Sequence, residues 1–169
     1  MAFRIVIGGS FLIHIVAATM LWARGRKARG PHRASPKAAR TGFQSLSARL
    51  MPLTGVLLLA FVIIHLLDLT IGVQPVASET FHHAVGTRPD AYANLVASFS
   101  RPWMAAIYVV AMVLVSLHVA HGITTVAQDL GAMGYRLRMT AAIVAGIVAL
   151  VILLGNASIP LAVQFGVLT

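Results

Sequence analysis

The sequence predicts an all-α integral membrane bundle: four transmembrane helices, with a short interfacial helix in one loop. Three observations carry this. Of 169 residues, 59% are hydrophobic and only 10% are charged, against about 45–50% and about 25% in soluble domains. The mean hydropathy is +0.88. Four apolar runs are each long enough to cross a hydrocarbon core about 30 Å thick at about 1.5 Å per residue. Lipid admits only helices and closed barrels, and these runs lack the alternating polarity of barrel strands. The composition excludes a soluble globule and a disordered tail. The chain has no cysteine, which excludes a disulfide, a thiolate metal site or a thiol nucleophile of its own.

The first span is expected at about residues 1–22, the second at 50–73, the third at 103–127 and the fourth at 139–160, all in one transmembrane domain. Between the first two lies the loop 23–49, with Arg24, Arg26, Lys27, Arg29, Arg33, Lys37, Arg40 and Arg49 and no acid. These are eight of the thirteen Lys and Arg in a chain of formal net charge +9. Cytoplasmic loops collect such cations, which also attract anionic lipid headgroups. No aromatic residues interleave them, so nucleic acid is not the expected partner. The positive-inside rule then makes 23–49 cytoplasmic and 74–102 external, where Glu79, Arg88, Asp90 and Arg101 cancel. Residues 128–138 return to the cytoplasm, with Arg136 and Arg138 against Asp129. The N-terminus is placed outside. The first run is too long, and its positive flank lies on the wrong side, for a cleavable signal peptide. An external N-terminus without a leader and a missing upstream helix are both compatible with that placement.

The outer loop 74–102 holds Pro75, Pro89, Pro102 and Gly86. Within it, residues 90–99 are expected to form a short helix lying in the interface. Trp103 and Tyr108 suit an outer aromatic belt and Trp22 an inner one. Gln128, Asp129, Arg136 and Arg138 are placed at the cytoplasmic surface, to line a quinone site or dock a soluble partner.

Four of the seven histidines fall inside spans: His14, His65, His118 and His121. An ionisable residue at membrane depth marks function by default; the alternative is a hydrogen bond that glues helices together. A central His on each of three helices favours ligation. His14 lies roughly 12 Å, and His118 roughly 15 Å, from the cytoplasmic end of its span. His65 lies near 20 Å from that side, closer to the outside. The first two share a level, and two stacked sites are expected, one with both ligands and one with a partner missing. Zinc and copper usually require three or four ligands, and Asp68 is the one acid in a span. Haem iron needs two axial ligands and an apolar slot. Small residues such as Gly8, Gly9, Ser10, Ala17, Ala111, Ser116 and Gly122 would make that slot, though they also suit ordinary helix packing. Arg4, Arg49 and Arg101 are placed to meet haem propionates or a quinone, or simply to snorkel.

These residues resemble a family. The run His14-Ile15-Val16-Ala17-Ala18-Thr19-Met20-Leu21-Trp22, followed by a basic loop, is similar to the second helix of the membrane anchor of succinate dehydrogenase and fumarate reductase. The form meant is the five-helix, single-subunit cytochrome b type. Phe61 to Thr70 resembles its third helix, Asp90 to Phe99 the segment before helix four, and Ser116-Leu117-His118-Val119-Ala120-His121-Gly122 helix four. The resemblance covers most of the chain, and the order and spacing of the segments make it specific. It is nearest to the actinobacterial branch, which implies a bacterial cytoplasmic membrane. It implies that His14 and His118 ligate a proximal haem b and that His65 is one ligand of a distal haem, with His121 and Asp68 as lesser alternatives. It implies flavoprotein and iron–sulfur partners and electron delivery to a quinone, so the catalytic chemistry belongs to other chains. The family's first helix, with the distal haem's other ligand, has no counterpart here: either the chain starts upstream or the helix comes from another chain. Where relatives often carry a second His, this chain has Asp68.

Three alternatives stay open. Some actinobacterial relatives resemble a haem-free class with a Rieske-type iron–sulfur centre in the membrane. Such a centre uses His on one iron and Cys on the other, so its thiolates would come from elsewhere. A proton-coupled transporter would use His65, Asp68 and His118 as a relay. A structural adaptor would use its histidines as glue. The chain shows no serine triad, phosphate loop or catalytic carboxylate pair, which argues against an independent hydrolase.

Overall fold

The computed structural model describes residues 2–29, 43–83 and 90–169. All the regular structure among them is helical, and four helices have the length and apolarity to cross a membrane: Ala2–Ala28, Arg49–Ile71, Pro102–Asp129 and Tyr135–Gln164. The chain divides into two units, Met1–Ser45 and Leu46–Thr169.

The first unit contains α1, Ala2–Arg29. Its two hydroxyl side chains bond back to the helix's own carbonyls, as suits a helix in lipid. The Ser10 hydroxyl donates to the Val6 carbonyl, and Thr19 donates to Ile15 at 2.8 Å. The helix runs past the apolar stretch to include Arg24, Arg26 and Lys27. Near that end the Arg26 guanidinium lies 4.9 Å from the centroid of the Trp22 ring, a cation–π contact suited to a boundary tryptophan.

The second unit begins within α2, Phe43–His65. Pro52 lies inside α2 and is tolerated because its missing N–H costs one backbone bond, which neighbouring groups can offset. The chain continues as a π-helical segment, Leu66–Ile71. Gly72 ends it at φ +76°, its N–H bonded to the Leu67 carbonyl at 3.0 Å. A Cβ there would lie 2.3 Å from the Phe81 ring, so both conformation and space require glycine. A short helix α3 follows at Ala91–Phe99, one residue from its expected start. It buries Asn94, Ser98 and Phe99.

Helices α4, Pro102–Asp129, and α5, Tyr135–Gln164, form an antiparallel hairpin around a turn whose Gly131 has φ +96°. Helix α4 opens with proline at its first position, where no N–H is needed. Helix α5 passes through Pro160 and extends four residues beyond the expected end of the span. The buried apolar centre lies at the α4 start and α5 end: Phe99, Met104, Tyr108 and Val163. Gln164 ties the ends together by donating to the Phe99 carbonyl at 2.6 Å.

Candidate functional site

Helix α2 meets α4 through two polar contacts. At the first, Thr54 Oγ1 lies 3.1 Å from His118 Nδ1. Thr54 also donates to the Met51 carbonyl at 3.0 Å. Glycines flank this contact: a Cβ on Gly55 would stand 3.7 Å from His118 Cε1, and one on Gly122 would stand 3.9 Å from Met51, both ordinary van der Waals distances. Ser116, two residues before His118, is buried and returns its hydroxyl to the Met112 carbonyl at 2.8 Å. His121 sits one turn further along α4, half-buried, its carbonyl accepting from Thr124 at 2.9 Å.

At the second contact, Tyr108 of α4 stands between His65 and Asp68. Its hydroxyl donates to Asp68 Oδ2 at 3.0 Å and lies 3.4 Å from His65 Nδ1. Asp68 is 1% exposed. It also accepts from Ser98 Oγ at 2.5 Å and from Arg101 at 2.7 Å. The Arg101 guanidinium reaches on to the Val76 carbonyl at 2.8 Å and lies 5.0 Å from the Trp103 ring. A buried carboxylate costs several kcal/mol unless paired and hydrogen-bonded, and here three donors meet it. Phe61 and Phe99 pack edge-on against Tyr108, with centroids 5.1 and 4.8 Å away. Thr54 and His65 are eleven positions apart on α2, so the two contacts are about 16 Å apart along the helix.

The structure places the expected site residues as follows. His65 and Asp68 share the second contact, but Asp68 turns to Arg101, Ser98 and Tyr108. Arg101 is bound to Asp68 by a salt bridge. His118 and His121 lie on α4. His14 and Arg4 lie on α1 in the first unit, and Arg49 near the start of the α2 span. Among the described residues no three His, Cys, Asp or Glu come together in a group able to hold a metal ion. One expectation is corrected: Tyr108 is 6% exposed and is no belt residue, because Asp68 and the two phenylalanine rings hold it inside. Trp103 remains 53% exposed.

Four apolar helices and histidines at two α2–α4 contacts describe a multi-pass membrane protein but not which one. The profile of the succinate dehydrogenase/fumarate reductase transmembrane subunit matches residues 23–155. The chain belongs to that family. No curated protein and no solved structure matches it significantly. As the transmembrane subunit of succinate dehydrogenase or fumarate reductase it associates with catalytic subunits. The family match includes His65, Asp68, Arg101, Tyr108, His118 and His121, and leaves His14 and Arg4 outside.

Sequence reasoning missed Thr54, Ser98 and Tyr108 in this family member. Each is one hydroxyl whose direction the sequence does not show: Ser98 lies in the expected short helix and Tyr108 reads as a belt residue. The available signal was Asp68 itself: an acid in a span demands donors, and Arg101, Ser98 and Tyr108 were the polar groups near the same end of the neighbouring elements.

Proposed function

We propose that the chain is the electron-transferring anchor of succinate:quinone oxidoreductase. It would pass electrons from the iron–sulfur subunit to a membrane quinone through haem b, with a flavoprotein completing the complex. The observation that carries this reading is an imidazole, His118, midway along α4 where it meets α2, inside the family match.

The donor chemistry fits haem. Axial ligation asks for one neutral imidazole per face of the iron, whereas zinc and copper sites usually gather three or four ligands. His118 would hold the proximal haem, with His14 as the second ligand implied by the resemblance, and His65 would be one ligand of a distal haem. Bound there, haem supplies one-electron carriage between the iron–sulfur centre and quinone. The protein's own residues do the rest. Gly55 leaves room beside the His118 ring. The cations of 23–49 would face the cytoplasm, anchoring the loop at anionic headgroups and beside the catalytic subunits. Arg4 and Arg49 are the cations left to meet propionates, since Arg101 is engaged by Asp68.

The test is a dithionite-reduced minus oxidised spectrum of the purified complex, with pyridine haemochrome quantified per copy of this chain. A b-type band is expected, lost in His118→Ala and in His14→Ala. Succinate activity without that band would overturn the haem reading, and electron paramagnetic resonance would then look for a membrane iron–sulfur centre.

A further inference from the structure

The turn between α4 and α5 closes one end of the hairpin, and an open groove of about 330 Å³ lies between the two helices there. Ile123, Ala127 and Leu130 line it from α4, and Leu137, Ala141 and Val144 from α5. Spacings of three and four put each set on one helix face. The wall's one hydroxyl, on Thr140, bonds its own helix at the Arg136 carbonyl, 3.0 Å away. Ile123 lies six positions inside the end of α4 at Asp129, and Val144 nine positions inside the start of α5 at Tyr135. These are about 9 and about 14 Å along the helices, deeper than a headgroup layer of about 5–8 Å. The groove therefore reaches hydrocarbon, where a soluble subunit cannot follow. An apolar wall selects nothing there by itself, since lipid tails are as apolar as leucine. Selection must come from the mouth. Arg136 and Arg138 flank Leu137 at that mouth. Both are exposed, and among the described residues neither meets a carboxylate. Asp129 comes two positions after Ala127, which sets it on the opposite side of α4 from the groove.

We infer that the α4–α5 groove holds one anionic phospholipid, with an acyl chain against Ala127 and Ala141 and the phosphate at Arg136 and Arg138. Guanidinium groups meet phosphate oxygens in bidentate, charge-assisted pairs. A neutral lipid or a quinone would fill the groove and leave both arginines unanswered. A soluble partner's carboxylates would answer the arginines and leave the groove unfilled. An anionic phospholipid does both. The side agrees as well: the positive-inside rule puts this end at the cytoplasm, where the leaflet carries anionic lipid. The inference rests on the chain's place in the membrane and not on haem.

The experiment strips loosely held lipid from the purified complex in detergent. It then offers dioleoyl phosphatidylglycerol and dioleoyl phosphatidylcholine in equal amounts and counts by native mass spectrometry what stays bound. The wild type is expected to keep one more phosphatidylglycerol per copy of this chain than the double variant Arg136→Gln, Arg138→Gln. Each surface cation contributes roughly fivefold in affinity for anionic lipid, so the double variant should bind it on the order of 30-fold more weakly, with phosphatidylcholine unchanged. Ala141→Leu fills the groove and should release the same molecule with both arginines in place. Arg24→Gln with Lys27→Gln, at cations outside the groove, should keep it. Equal retention of the two lipids by the wild type overturns the inference. So does an equal loss in the Arg24, Lys27 variant, which would make the attraction one of general surface charge. Release of the iron–sulfur subunit from the Arg136, Arg138 variant with lipid unchanged would assign the arginines to a protein partner. A quinone that leaves in Ala141→Leu while phosphatidylglycerol stays would assign the groove to quinone. Either result overturns the inference. If Ala141→Leu fails to assemble, the exposed arginine pair still decides. A complex without a b-type band overturns the haem reading instead, and the lipid count stands.

Discussion

Helix α2 is held to α4 in two places, and the two are built to different standards. At Asp68 the carboxylate accepts from the Tyr108 hydroxyl, the Ser98 hydroxyl and the Arg101 guanidinium, Arg101 also reaches the Ser98 oxygen, and Asp68, Ser98 and Tyr108 are buried. That contact links the π-helical segment, α3, the start of α4 and, through Val76, the segment after Gly72. At His118 a threonine and an imidazole meet between half-buried positions. Helices in lipid gain little from hydrophobic burial against one another, so polar contacts and close packing must hold them. The difference teaches a division of labour. The Asp68 cluster is the clasp that assembles one end of the bundle. The His118 contact orients a ring while contributing little to holding the helices.

The sharpest way to break this comparison is to remove the carboxylate. Asp68→Ala leaves Arg101 without its counter-ion, and breaking a buried pair from one side costs about 3–5 kcal/mol. Unfolding of the purified protein in mixed micelles should show a loss of that size. A cost under about 1 kcal/mol would mean that Asp68 is no clasp. Tyr108→Phe comes next. It keeps the ring between Phe61 and Phe99 and removes one bond to a charged acceptor, worth about 1.5–3 kcal/mol. The same unfolding assay measures it, and a neutral result would detach Tyr108 from the cluster.

Much of the frame was legible before the structure. Four helices long and apolar enough to cross a membrane lie over the four apolar runs, and a short helix follows Asp90. The ends were less legible. Helix α1 runs on to Arg29, α2 begins at Phe43 and α5 begins at Tyr135, since backbone hydrogen bonding continues where apolarity stops. Pro160 does not end α5, because one missing N–H is tolerable in a long span. The clasp was only half legible. Asp68 and Arg101 stood out as charges, but their partnership needs the π-helical turn, which shifts the direction of side chains after His65 and carries no obvious sequence signal. Tyr108 read as a belt residue because spacing shows depth in the membrane and not which way a ring points.

Gly72→Ala tests the clasp from its far side. The substitution would force a positive φ on alanine and a Cβ into the Phe81 ring. The cost should be about 1–3 kcal/mol, read by the same unfolding assay. It should fall mainly on the segment after the π-helical turn, where hydrogen exchange of the Val76 and Ala77 amides should accelerate. Wild-type protection of those amides in the Gly72→Ala protein would show that this turn bends without disturbing its neighbours.

The smallest stability effect is predicted at the other contact, and its smallness is the point. Thr54→Val is nearly isosteric, and a hydrogen bond between membrane helices averages about 0.6 kcal/mol. Unfolding in mixed micelles should therefore move by less than about 1 kcal/mol, several-fold less than for Asp68→Ala. If the two variants cost the same, His118 is part of the scaffold and the division of labour fails. If Thr54→Val is nearly silent in stability, the Thr54–His118 bond serves something other than holding α2 to α4. What then remains for it is the direction of the ring, which a serine can hold through the same hydrogen bond and a valine cannot.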